Sequence, residues 1–401
     1  MTAAPAPAPS PHDDDLDDFS LVVGGPLYHL YVRSRLARPP LYWLRRRLII
    51  FPLVAWLPLF VLSLLAGTAL GGVSVPFLYD VGVHAKYLIA LPLLIGAEWM
   101  VHRVMRPVAR QFLERELVRG EDVDRFRNIV SSTLRLRNSM WIELLLIALV
   151  YTAGHVAWLQ NIPPDAHMWF GSREGQALHL NLAGYWYGFI SAPMLQFLLL
   201  RWYFRLVVWA LFLWRVSRLD LHLVPTHPDQ AAGLGFLNEA FYAFGLVPMA
   251  QGVMMSSIIA VRIFFFGAKL TMFYGEIAAL VAAMAILFLG PLCVFTRQLW
   301  DAKRQGIREY GRLGSEYVLE FDRKWLHGGA AKDEPLVGSA DIQSLADLSG
   351  SFDVVRSMRP TPFSLEQLFY LVLITVAPIL PLVLTMIPLE ELLKKLVGAL
   401  F

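Results

Sequence analysis

Seven long apolar segments constrain the fold of this chain more than any other feature of its sequence. A helix needs about 20 predominantly apolar residues to cross the hydrocarbon core of a bilayer. We therefore predict an all-α fold, a polytopic membrane helix bundle of about seven spans with cytoplasmic helical extensions. The segments cover residues 48–70, 85–105, 140–159, 182–214, 236–261, 270–295 and 363–387.

The composition agrees with a membrane protein and argues against several other classes. Only 17% of the 401 residues are charged, whereas soluble domains carry about 25%. The net charge of +3 is too small to indicate a nucleic-acid partner. Cys293 is the only cysteine, which excludes a disulfide framework and a cysteine-based zinc site.

The distribution of Lys and Arg predicts the orientation of the chain. Runs of arginine precede the first segment, separate the second from the third, and follow the sixth. Residues 71–84 contain no Lys or Arg, and residues 160–181 contain only Arg173. Because cytoplasmic loops are enriched in Lys and Arg, we predict a multi-pass protein of the bacterial inner (plasma) membrane. The same rule predicts a cytoplasmic N-terminus and a periplasmic C-terminus.

The fourth segment is longer than one span requires. Its 33 residues would form a helix of roughly 50 Å, against a hydrocarbon core of about 30 Å. Either one long helix or two short spans would fit this length. Arg201 and Arg205 lie toward its C-terminal end, which favours one helix with a cytoplasmic extension.

Five segments outside the main bundle have predictions of their own. We expect a disordered acidic cytoplasmic tail, an interfacial segment, two stretches of cytoplasmic helix, and a periplasmic amphipathic end. The tail lacks the basic start and apolar core of a signal peptide. These segments are residues 1–20, 21–47, 107–138, 296–360 (with a small soluble part) and 388–401.

Charged residues at membrane depth are the first candidates for a functional site. Glu98 and Glu143 lie near the cytoplasmic ends of the second and third segments. They either pair with nearby arginines at the interface or line a cytoplasmic vestibule. Arg201 and Arg205 are one helical turn apart on one face. They either snorkel within an interfacial aromatic belt or belong to a basic pore or anion site.

Uncharged polar and small residues in the fifth and sixth segments are weaker candidates. Gln251 and Ser256 either hydrogen-bond to neighbouring helices or line an ion path. Gly275, Ala279 and Ala283 recur every four residues. Such a face of small residues packs closely on another helix, which in this chain could belong to a second copy.

The most distinctive short motif is THPDQAAGLGFL, residues 226–237. His222, His227 and Asp229 could ligate a metal or exchange protons, because imidazole and carboxylate suit both roles. A structural role is the stronger interpretation. A residue before proline avoids the helical conformation, and Asp is a natural turn former and N-cap.

This motif is also one of three stretches that carry a family resemblance. Together with SFDVVRSMRPTPF and the closing VLTMIPLEELLKKL, it resembles a group of polytopic proteobacterial inner-membrane proteins with no assigned activity. The resemblance extends from about residue 219 to the C-terminus. It implies a location and a topology, and it implies no chemistry.

These features favour an integral membrane channel or transporter for a small ion or solute, with the lipid bilayer as its main partner. The alternative is a membrane scaffold or sensor that binds a cytoplasmic protein through its helices. A metal-dependent membrane enzyme that uses His222, His227 and Asp229 is the third hypothesis. No motif specifies a cofactor, and we find none of the common catalytic or potassium-filter motifs.

Overall fold

Seven helices long and apolar enough to cross a membrane dominate the part of the chain that the structure describes, which confirms the predicted all-α membrane bundle. A computed structural model describes residues 19–39, 41–160, 162, 167–174, 177–331, 335–336 and 339–386. We number the helices span 1 to span 7. Their bounds are Leu44–Leu65, Val81–Glu114, Met140–Gln160, Leu182–Val216, Leu234–Phe266, Leu270–Leu326 and Leu365–Thr385.

The fourth span is one continuous run of helix, as the arginines at its end predicted. Spans 2, 3 and 4 each contain a wide π-helical turn. Two of these turns stand directly before a proline, Pro92 in span 2 and Pro193 in span 4. A proline ring clashes with the carbonyl four residues earlier, and a wider turn relieves that clash. The turns are Ala85–Ala90, Val150–Gly154 and Tyr187–Ser191.

In the described part of the chain, three α-helices, a short 3-10 helix at Phe77–Tyr79 and three strands lie outside the spans. Helix α1 is Pro26–Arg33, α2 is Asp122–Arg137, and α3 is Ala340–Ser357. The strands form a small antiparallel sheet in the order β1-β2-β3, which the sequence analysis did not predict. We call the end of the bundle with α1 and α2 the basic end, and the end with the sheet the sheet end. The strands are β1 His167–Met168, β2 Gly171–Glu174 and β3 Ala177–Leu180.

The N-terminal segment is packed into the basic end. Phe19 and Ser20 are buried, so the expected disordered tail does not extend to residue 20. The Phe19 ring lies 4.9 Å from the Phe212 ring of span 4. Helix α1 buries Tyr28 and Tyr31, and therefore contacts the bundle with one face. Residues 1–18 of the predicted tail lie outside the described residues.

The predicted cytoplasmic extension of span 6 and the small soluble part pack against each other. Span 6 continues as helix to Leu326. Its Lys303 Nζ donates a 2.6 Å hydrogen bond to the carbonyl of Met358, just after α3. Gly306 lies against Pro225, where a Cβ would approach the proline ring within 2.7 Å. The expected amphipathic end, residues 388–401, falls outside the described residues.

Candidate functional site

Five charged side chains from spans 1 to 4 meet inside the bundle near its basic end. None of them is more than 7% exposed. The interpretation of the two span 4 arginines as snorkelling side chains is therefore wrong, because both are enclosed by protein. We call this group the Arg–Glu cluster; its members are Arg47, Glu98, Glu143, Arg201 and Arg205.

Glu98 is the centre of the Arg–Glu cluster. Its Oε1 accepts a 2.9 Å hydrogen bond from Arg205 Nη2 and lies 3.6 Å from Arg201 Nη1. Its Oε2 accepts a hydrogen bond from Arg47 Nη1. Arg201 reaches the second carboxylate as well, with Nη2 at 3.4 Å from Glu143 Oε1. Three guanidinium groups and two carboxylates leave the cluster with one excess positive charge.

Helix α1 covers the cluster from the basic end. The backbone N–H of Leu27 donates a 2.8 Å hydrogen bond to Glu143 Oε2. A carboxylate is favourable there, because the first turn of a helix presents unpaired N–H groups and a partial positive charge. Gly25 permits the approach: its φ is 83°, and a Cβ would lie 3.0 Å from Glu143 Oε1. The Tyr31 ring also covers the cluster, because Arg47 Cζ lies over this ring, 5.6 Å from its centroid.

Trp202 closes the cluster toward the middle of the bundle. Its fully buried indole lies under Arg205, whose Cζ is 4.7 Å from the ring centroid. The indole Nε1 donates a 3.0 Å hydrogen bond to the carbonyl of Leu94, one turn before Glu98. The side chains of Leu94 and Leu198 are also buried. The Arg–Glu cluster is thus enclosed on both sides.

Three guanidinium nitrogens of the cluster find no hydrogen-bond acceptor among the described residues. Arg47 Nε, Arg47 Nη2 and Arg205 Nη1 are buried and make no hydrogen bond within the described part of the chain. A buried N–H without an acceptor costs about 1–3 kcal/mol, and more when the group is charged. The cluster therefore presents both excess positive charge and unsatisfied donors, which together favour an anionic ligand.

A second polar group lies nearer the sheet end, between spans 2 and 4. Asp80 accepts a 2.9 Å hydrogen bond from the indole of Trp169, which is fully buried. Lys86 lies close to Tyr187 and Asp80. Lys86 and Glu98 are twelve residues apart in span 2, roughly 18 Å along the helix axis. Apolar side chains, Leu91 and Leu94 among them, separate the two polar groups.

The THPDQAAGLGFL motif forms a tight turn, as the structural interpretation predicted. The Asp229 carboxylate accepts backbone hydrogen bonds from Ala231 at 2.8 Å, Gly233 at 3.2 Å and Gly235 at 2.8 Å. Burial raises the pKa of Asp229, but these hydrogen bonds outweigh that effect and hold the pKa below its ordinary value. The carboxylate thus serves as the acceptor that shapes the turn.

The proposed metal ligands do not assemble into a metal site. His227 Nδ1 lies 2.9 Å from Asp229 Oδ1. The backbone N–H of His222 instead donates a 2.8 Å hydrogen bond to the carbonyl of Leu117. No three His, Cys, Asp or Glu side chains that could hold a metal ion come together in the described ranges.

The THPDQAAGLGFL and SFDVVRSMRPTPF segments meet in the structure. Arg359, from SFDVVRSMRPTPF, donates from its guanidinium to the carbonyl of Asp229 at 2.9 Å. Its backbone N–H donates to the carbonyl of Gln230 at 2.8 Å. The loop between spans 4 and 5 is therefore tied to the segment that leads into span 7.

The weaker candidates lie away from the Arg–Glu cluster. Gln251 donates to the hydroxyl of Tyr203, which is the cross-helix bonding expected of a polar residue in a span. Ser256 is partly buried. Gly275, Ala279 and Ala283 are exposed on span 6, so the small-residue face is open to lipid or to another helix.

Sequence reasoning missed three charged members of these polar groups, Arg47, Asp80 and Lys86. In the sequence, Arg47 belongs with Arg45 and Arg46 to the basic run before span 1. The helix begins at Leu44, and the 100° step between residues turns Arg47 inward while its two neighbours stay exposed. Lys86 stands at the start of the second apolar segment, and Asp80 stands five residues before that segment. For Arg47 and Lys86, the signal is a basic residue at the edge of an apolar segment.

No protein-family model matches the chain, and searches of curated proteins and of solved structures gave no significant match.

Proposed function

We propose that this protein is a membrane transporter for a small anion, which binds at the Arg–Glu cluster. The observation that carries the proposal is a buried cluster with one excess positive charge and three guanidinium nitrogens that find no acceptor among the described residues. A buried charge cluster is costly, and an apolar replacement would often stabilise the fold more. Charges at membrane depth typically mark substrate and ion pathways.

Guanidinium groups determine the kind of anion. Arg presents a planar fork of donors that matches carboxylate and phosphate oxygens, and it stays charged at all physiological pH values. Glu98 contacts all three arginines, and together with Glu143 it neutralises two of the three positive charges. The remaining charge suits a monovalent anion, such as a small carboxylate or a halide.

The enclosure of the cluster favours a carrier over an open pore. Helix α1 lies on one side and Trp202 with Leu94 on the other. An anion would enter when α1 moves away, and leave toward the sheet end past the group of Asp80 and Lys86. The wide turns before Pro92 and Pro193 contain Lys86 and Tyr187 of the second polar group and are natural places for spans 2 and 4 to bend.

The distribution of arginines supports the membrane orientation that we assign to this transporter. The basic end carries most of the arginines outside the spans, and the sheet end carries few. On the positive-inside rule we place the N-terminus in the cytoplasm, the basic end facing inward, and the C-terminus in the periplasm of a bacterial inner membrane.

Anion uptake by purified protein in liposomes tests the proposal. We expect the wild type to carry acetate or chloride above the rate of empty liposomes. Arg205→Gln removes one unsatisfied donor and the excess charge, and should lower initial uptake about tenfold, the effect of roughly 1.4 kcal/mol. Arg205→Lys keeps the positive charge but loses the planar set of guanidinium donors, so its initial uptake should lie between that of the wild type and that of Arg205→Gln.

The control is Arg262→Gln. Arg262 pairs with Glu276 at 3.8 Å on the exposed surface, far from the cluster, and its loss should leave uptake unchanged. Size-exclusion profiles and thermal midpoints identify variants that fail to fold. The proposal fails if the wild type carries none of the anions, or if Arg205→Gln is folded and transports at the wild-type rate.

A further inference from the structure

A strongly basic surface lies where the chain passes from α1 into span 1. It consists of five exposed arginines, which we call the arginine patch: Arg33, Arg35, Arg38, Arg45 and Arg46. The first belongs to the last turn of α1 and the last two belong to the first turn of span 1. Arg46 Nη1 donates a 3.4 Å hydrogen bond to the carbonyl of Arg35. The two ends of the patch are therefore in contact.

The positive charge of this patch is not balanced by nearby carboxylates. Residues 19–79 contain no Asp or Glu. Within the described part of the chain, none of the five arginines forms an ion pair. The basic stretch around α2 differs, because its arginines have acidic neighbours. Arg119 pairs with Glu116 at 2.6 Å, and Arg125 pairs with Asp122 at 2.9 Å. The arginine patch is thus a local excess of positive charge.

The backbone beneath the patch is held in a defined conformation. The N–H and C=O groups of Arg38 and Tyr42 exchange hydrogen bonds at 3.2 and 2.8 Å. Arg35 and Trp43 both have positive φ, 55° and 68°. Non-glycine residues keep this conformation where the surrounding structure enforces it. The guanidinium of Arg46 lies over the Trp43 ring, with Cζ 4.2 Å from the centroid. The basic groups are therefore carried on an ordered turn.

The patch lies at the level of the lipid headgroups. Ile49 and Ile50 are 51% and 39% exposed on span 1, where they face the acyl chains of the bilayer. Arg46 precedes Ile50 by one helical turn, about 6 Å along the axis. Tyr42 and Trp43 are also exposed, and both residue types concentrate at the boundary between membrane and water.

We propose that the arginine patch binds the phosphate of an anionic phospholipid where α1 joins span 1. Clusters of four to eight basic residues beside a membrane helix attract anionic headgroups. The planar donors of guanidinium match phosphate oxygens. A lipid suits this surface better than a soluble phosphate, because its acyl chains would lie along the exposed isoleucines of span 1. This binding does not depend on transport at the Arg–Glu cluster.

Native mass spectrometry of the full chain in detergent, titrated with phosphatidylglycerol, tests the proposal. We expect saturable binding that is tighter than the binding of phosphatidylcholine. Arg35→Gln and Arg45→Gln should each weaken the Kd about fivefold, the effect of one basic residue near a charged membrane surface. Arg119→Gln is the matched control, since it removes the same charge from an exposed arginine outside the patch.

Glycerol 3-phosphate tests a soluble ligand, because it carries the phosphate without acyl chains. We expect it not to displace phosphatidylglycerol at equal concentration. Thermal midpoints in phosphatidylcholine nanodiscs identify variants that fail to fold, and exposed positions such as Arg35 and Arg45 should leave the midpoint unchanged. The proposal is overturned if phosphatidylglycerol binds no more tightly than phosphatidylcholine, if glycerol 3-phosphate displaces it, or if Arg119→Gln weakens binding as much as Arg45→Gln does.

Discussion

Glu143 and Leu27 are joined by a 2.8 Å hydrogen bond between a carboxylate in span 3 and a backbone N–H at the start of α1. The same carboxylate faces Arg201 of the Arg–Glu cluster at 3.4 Å. One side chain therefore satisfies both a buried arginine and the helix that covers it. The position of α1 and the charge state of the cluster are linked through this single residue.

Replacement of Glu143 should loosen α1. Glu143→Ala removes the acceptor for Leu27 and the counter-charge of Arg201, whereas Glu143→Gln retains an acceptor oxygen. Loss of one partner from a buried pair costs about 3–5 kcal/mol. We expect faster hydrogen exchange over residues 26–33 in Glu143→Ala than in Glu143→Gln. Glu276→Ala, at the exposed pair with Arg262, should not change exchange in this helix. Equal exchange in both Glu143 variants would contradict the role of the hydrogen bond.

Replacement of Glu98 should destabilise the fold more than any other single change in the cluster. Glu98→Gln leaves three buried arginines with Glu143 as their remaining carboxylate. We expect a loss of about 3–5 kcal/mol, read as a lower thermal midpoint in detergent. The double variant Glu98→Gln with Arg47→Gln should recover part of the loss, because it restores the charge balance. Strictly additive effects of the two changes would show that this pair is not coupled.

Asp229 should make stability depend on acidic pH. Its pKa in the folded protein lies below the ordinary value of 3.8, so the stability it contributes is fully present above that value. That contribution is lost as the pH falls through the lower, folded pKa. We expect Asp229→Asn to lower the thermal midpoint at pH 7 and to flatten its decline below about pH 4. A decline as steep as that of the wild type would place the titrating group elsewhere.

The seven spans were predictable because apolar length alone determines whether a helix can cross a bilayer. Glu98, Glu143, Arg201 and Arg205 were identified as candidates for a related reason, since each is a charge within or beside an apolar run. Their mutual pairing was not predictable. It depends on how spans 1 to 4 are arranged in three dimensions, which hydropathy does not encode.

The remaining differences between expectation and structure also come from contacts between distant segments. The strand signal around residues 167–180 is weak, and the sheet is anchored in part by a bridge between Val75 and Met168. Helix α1 resembles an interfacial helix by composition. Its burial depends on Glu143, which lies 116 residues away from Leu27. Local sequence patterns do not predict contacts between residues this far apart in the chain.

The one excess positive charge of the Arg–Glu cluster has an electrical consequence. Moving a unit charge through a membrane voltage involves about 2.3 kcal/mol per 100 mV. A bound monovalent anion would bring the cluster to neutrality, so the voltage would act on the empty carrier and leave the loaded one unaffected. Under the proposed transport, a voltage negative inside would hold the empty cluster toward the cytoplasm, and would therefore slow its outward return during net uptake.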